Sequence, residues 1–161
     1  MSHALGTLAS SDYGMSDFKE CLRHLRDGQH DEALADVGRA LGTAPDNPIY
    51  LSYTGLLSAL ADRRFRDAER LCLEALRLRH SHPQLYLNLA QVYQKAGQFQ
   101  DAVEVLEKGL TSTGRDPKIR YALNALGRRR KPVFPFFDRS NPINRVLGKW
   151  RHRLLGPVRA A

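Results

Sequence analysis

Residues 82–110, HPQLYLNLAQVYQKAGQFQDAVEVLEKGL, carry the pattern that decides the fold. Pro83 suits the first turn of a helix, where a missing N–H leaves no bond unmade. Tyr86, Leu89, Ala90 and Tyr93 then recur at helical spacing. Gly97 is placed to end that helix in a left-handed turn. GQFQDA opens a second helix with an acidic first turn, which complements the helix dipole. The stretch therefore reads as helix, short turn, helix.

The same punctuation recurs on both sides. Asn47-Pro48, His82-Pro83 and Asp116-Pro117 place prolines 35 and then 34 residues apart. Asn and Asp are good N-caps, and His82 is a poorer one with Ser81 nearby. Ala33, Ala68 and Ala102 keep the same 35 and 34 spacing, as do Ala40, Ala75 and Gly109. Small residues at fixed steps let successive helices approach closely. A period near 34 residues is the mark of a stacked helix-pair array. The expected helices cover about 16–27, 30–43, 48–61, 65–79, 83–96, 99–112 and 117–129.

The unit resembles the tetratricopeptide repeat family over roughly residues 14–130. The third unit matches best, through Tyr86, Leu89, Ala90, Tyr93, Gly97, Phe99, Ala102, Leu106 and Gly109. The second carries Leu51, Gly55, Leu57, Phe65, Ala68, Cys72 and Ala75, with one extra residue in its turn, ALADRRF. The first is weakest, because Asp17 and Glu20 stand where the family favours large apolar residues. The resemblance implies an all-α, right-handed superhelical array of three helix-turn-helix repeats. Repeats of about 14–47, 48–82 and 83–116 are followed by a capping helix, 117–130. Ile119, Ala122, Leu123 and Leu126 form the cap's apolar stripe. Residues 1–13 are expected to be a flexible N-terminus. Residues 131–161 are a basic, aromatic extension expected to pack on the array.

In this family the first helix of each pair lines a concave groove that grips peptides or a partner's helix. Carried onto this sequence, that pattern gives Phe18 and Leu22 from the first unit and Tyr53 and Leu56 from the second. The third gives Leu87, Asn88, Gln91 and Lys95, and the cap gives Tyr121. One half of such a groove is apolar and aromatic, the other amide-rich and cationic, which suits an amphipathic or extended segment with an acidic end. Chaperone-binding members hold a C-terminal carboxylate with Lys, Asn and Arg. Here Phe18, Leu22 and Tyr53 stand at those places and Asn88 alone fits, which argues against such a clamp.

The chain has 161 residues and a formal net charge of +8. From Arg128 onward ten cations face one anion, Asp138, while the first 127 residues hold 15 cations and 16 anions. Any pull on anionic lipid or nucleic acid therefore starts in the extension. There, Phe134, Phe136 and Phe137 lie on a proline-broken strap, and Ile143, Leu147 and Trp150 lie on one stripe of a basic amphipathic helix. Three readings compete for it: docking on its own domain, lying on an anionic membrane, or touching RNA or DNA phosphates. Docking is favoured by the aromatic cluster. Nucleic acid ranks last, because the cations alternate with a buried-type stripe.

Cys21 and Cys72 are too few and isolated for a disulfide framework. His80 and His82 lack a third metal ligand, and no glycine-rich phosphate loop or nucleophile elbow is present. Neither a secretory leader nor a membrane-spanning stretch is visible, so cytoplasmic residence is expected. The expected role is a non-enzymatic protein-interaction adaptor with no cofactor, no metal and an unidentified protein partner. The alternatives are a chaperone of a secreted or membrane-bound client, and a peripheral membrane scaffold anchored by residues 142–155.

Overall fold

The computed structural model describes residues 2–127. Seven helices fill them: α1 (Ser2–Arg26), α2 (His30–Thr43), α3 (Pro48–Ala61), α4 (Phe65–Leu78), α5 (Pro83–Lys95), α6 (Phe99–Ser112) and α7 (Pro117–Gly127). No strand occurs among them.

The X-Pro pairs start helices for the reason read from them. Asn47 Oδ1 accepts from the amides of Ile49 (3.0 Å) and Tyr50 (3.4 Å). Asp116 Oδ1 accepts from Lys118 (2.8 Å) and Ile119 (3.3 Å). Between them His82, not Ser81, caps α5: its Nδ1 accepts from the Gln84 amide at 3.3 Å. Each cap satisfies helix-end donors that would otherwise lack partners.

The turns inside the repeats are built on left-handed residues. Gly28 and Gly97 have φ of 78° and 80°. The next amide reaches back across each turn, Gln29 to His24 O (2.9 Å) and Gln98 to Tyr93 O (2.8 Å). The second repeat has no glycine there. Arg63 takes the left-handed place at φ 56°, and the extra residue widens the closing bond to Arg64 N–H with Ser58 O, 3.1 Å.

Within each repeat the two helices pack on one another, and α3 packs further on α2 and α5. The alanines at the repeat period, Ala33, Ala40, Ala68, Ala75 and Ala102, are all fully buried. Leu57, Leu85, Leu89 and Leu106 fill the spaces between helices, each contributing about 1.5–3 kcal/mol by leaving water. Gly109 marks the tightest crossing: a Cβ there would stand 2.7 Å from the Tyr86 ring.

α1 is longer than its repeat requires, running unbroken from Ser2 where the sequence pattern starts it near residue 16. Residues 2–13 contain no proline, and an existing helix extends cheaply through such residues. The first repeat also explains its poor fit to the family pattern. Asp36 is 4% exposed, and His24 Nδ1 meets its Oδ2 at 2.6 Å. Arg39 reaches the other Asp36 oxygen and also Asp17 Oδ1, the latter at 3.1 Å. A polar network thus ties α1 to α2 where other repeats use apolar contacts.

Candidate functional site

The first helix of each repeat buries one side against its partner and turns the other toward the face expected to bind. On α1 and α3 that face is aromatic. Phe18 lies tilted on Tyr50 with ring centroids 5.0 Å apart, and edge-on to Tyr53 at 5.1 Å. Both geometries suit the ring quadrupoles. Phe18 and Tyr53 remain half-buried and Tyr50 is buried, so the trio bridges α1 and α3 and keeps an exposed edge. Burial and the neighbouring Cys21 push the Tyr53 phenol above its ordinary value. Leu22, one turn along α1 from Phe18, is also half-buried.

Two residues expected on this face lie inside the stack instead. Leu56 is 2% exposed and packs with Ala68, Cys72, Leu89 and Val92. Asn88 is fully buried; its Nδ2 donates to Ser52 Oγ at 3.0 Å, and its Oδ1 accepts from Gln84 Nε2 at 2.8 Å. Asn88 is therefore a polar link between α3 and α5, with both ends satisfied. Its partner Ser52 was not foreseen. The signal available was a hydroxyl and an amide on helix faces otherwise made of apolar residues.

Toward the C-terminal end of the array the expected residues do reach the surface. Leu87 is half-buried, Gln91 and Lys95 are exposed, and Tyr121 on α7 is 78% exposed. Lys118 and Arg120, also exposed, flank Tyr121 in sequence. The structure thus puts aromatic and apolar groups on α1 and α3, and amide, aromatic and cationic groups on α5 and α7. Phe134, Phe136, Phe137, Ile143, Leu147 and Trp150 lie outside the described residues, as does the whole extension after Gly127.

Both thiols are sealed in the core. Burial pushes Cys72 up to about 12, and burial with the nearby Asp36 carboxylate pushes Cys21 up to about 12. At neutral pH neither is a thiolate. Among the described residues, no group of three or more His, Cys, Asp or Glu could hold a metal ion, and no helix is long and apolar enough to cross a membrane.

A cleft of about 630 Å³ lies elsewhere, between the second helices α4 and α6. The sequence patterns singled out the first helices and passed over it, because a gap between two helices of successive repeats leaves no local periodicity.

Residues 59–126 match the tetratricopeptide repeat family model. The TPR repeat-containing thioredoxin TTL4 of Arabidopsis thaliana is 35% identical over 106 residues, 63% of this chain. The aligned stretch spans only 15% of that relative's length. The first TPR of Spaghetti (RPAP3), solved with the HSP90 peptide SRMEEVD, superposes with a TM-score of 0.60 at 17% identity. That match covers 73% of this chain and 95% of the other. The TPR2B domain of yeast Sti1, solved as a pHsp70 complex, gives a TM-score of 0.61 at 15% identity, covering 74% of this chain and all of the other. With the repeat period, the caps and the stacked helix pairs all in place, the chain belongs, over its described residues, to the tetratricopeptide repeat family.

Proposed function

We propose that the array is a protein-interaction adaptor that holds a peptide or helix of a partner on the face built by its first helices. It works by presenting a shaped surface and makes no covalent change. The observation that carries this reading is Tyr121. A phenol ring 78% exposed on the last first-type helix, next to two cations, is the kind of anchor that dominates protein interfaces. Peptide binding by two proteins of the same fold, the first TPR of Spaghetti and TPR2B of Sti1, supports the same class of role.

The chemistry of the face separates it from a carboxylate clamp. Phe18, Leu22 and Tyr53 offer no charge, and Asn88 is spent on Ser52 and Gln84. A segment that is apolar at one end and acidic at the other complements the residues present, with its acidic end toward Lys95.

Selection of displayed peptides against the full chain tests this, followed by fluorescence anisotropy on the enriched sequences. Enriched peptides should combine an apolar half with an acidic end. Tyr121→Ala and Lys95→Glu should each weaken them by roughly five- to tenfold. No enrichment above background, or affinities indifferent to both substitutions, would contradict the reading.

A further inference from the structure

The cleft between α4 and α6 opens on the side of α5 away from the proposed partner face. Around α5, the floor residues Tyr86, Leu89 and Tyr93 occupy one arc, and Gln84, Gln91 and Lys95 the opposite one, at about 100° per residue. The main hollow holds about 630 Å³, and a second of about 200 Å³ shares Leu73, Val105 and Lys108 with it, so the two form one groove. Its floor is apolar, from Leu76, Val105 and Tyr86, and Leu73 stands in it 44% exposed.

The α4 wall is charged with one sign. Arg66, Arg70 and Arg77 fall on a single stripe with Leu73 between them, over roughly 16 Å or three helical turns. None of the three is ion-paired among the described residues. Glu69, the carboxylate nearest that stripe, already accepts from the Tyr93 hydroxyl at 2.7 Å. Lys108, likewise without an ion pair, adds a fourth cation from α6. Arg66 and Arg70 stand four residues apart, a like-charge spacing that is unfavourable until an anion sits between them.

We propose that this groove is a second docking site, for an acidic amphipathic helix of a protein partner. About three turns of helix fill the length of the stripe. Leucine-like side chains would sit on Leu73, Leu76, Val105 and Tyr86, and Asp or Glu along one flank would meet Arg66, Arg70 and Arg77. A cationic segment is the wrong complement, and that includes this chain's own residues 128–161, with ten cations and one anion. An apolar floor three turns long suits a helix better than a phosphate polymer, which would leave Leu73 in water.

The test uses the full chain and three fluorescein-labelled peptides of about four turns. One carries leucines at helical spacing with glutamates on one flank. The second replaces those glutamates by lysine, and the third scrambles the first. Anisotropy should show saturable binding of the acidic peptide alone, weakened by salt. The double substitution Arg70→Glu, Arg77→Glu should cost it about tenfold or more and admit the lysine peptide. Both arginines are exposed, and an unchanged far-UV circular dichroism spectrum would verify that the doubly substituted chain still folds. Tyr121→Ala should leave this binding unchanged, since it lies on the other face. The proposal falls if the acidic peptide does not bind, if the lysine or scrambled peptide binds equally, or if either set of substitutions gives the opposite result. Phosphatidylserine vesicles displacing the acidic peptide with the same arginine dependence would reassign the groove to lipid and overturn it too.

Discussion

Asp36 shows how this chain handles a charge it cannot expose. The carboxylate is nearly sealed, yet both oxygens are engaged, one by His24 and one by Arg39. Arg23 Nη2 donates to His24 Nε2 at 2.7 Å, which makes that nitrogen the acceptor and leaves the ring proton on Nδ1, facing Asp36. Asp36→Ala strands His24 and half of Arg39, and should cost about 1–3 kcal/mol in urea denaturation. His82 gives a residue-scale pH dependence. Burial, then Arg79 and Lys118, hold its pKa below the ordinary 6.5. The folded state therefore prefers the neutral ring, whose Nδ1 caps α5. Stability from this group is complete above about pH 6.5 and falls as pH drops through the lowered folded value. His82→Asn keeps a cap and should flatten that slope. His82→Ala loses the cap and should cost about 0.5–2 kcal/mol at pH 8. Urea midpoints followed between roughly pH 5 and 8 check both outcomes.

At the scale of helices, small residues set the spacing of the stack. Gly109→Ala pushes a methyl against the buried Tyr86 ring, whose hydroxyl is held by the His80 carbonyl at 2.7 Å. The ring has no free direction to move, so a loss of about 1–3 kcal/mol is expected in thermal or urea unfolding. Helix starts were legible because proline and its capping neighbour act locally: Pro48, Pro83 and Pro117 each begin a helix. The alanines at the repeat period were legible for the same kind of reason. Residue direction on the first helices was less so. One residue step turns a side chain by about 100°, so a register borrowed from a family can be right for Gln91 and still misplace Asn88 and Leu56. The Arg63 turn and the N-terminal length of α1 escaped because neither leaves a signature residue: an arginine in a left-handed turn looks like any arginine, and nothing marks Ser2 as a start.

For the whole molecule, the array offers two surfaces of different chemistry. The first-helix face runs from the Phe18, Tyr50 and Tyr53 rings to Gln91, Lys95 and Tyr121, and the groove between α4 and α6 is walled by arginines. The repeat period could reveal the stack, since each pair buries its face on the next. It could not reveal which side the molecule uses, because that depends on gaps between elements distant in sequence. The central claim is that the first-helix face grips a protein segment. Hydrogen–deuterium exchange of the full chain, alone and saturated with a display-selected peptide, tests it most directly. The account predicts slowed exchange concentrated in residues 87–95 and 117–125, where Leu87, Gln91, Lys95 and Tyr121 lie. Saturating peptide that leaves those segments unchanged, with protection appearing only elsewhere in the chain, would contradict it.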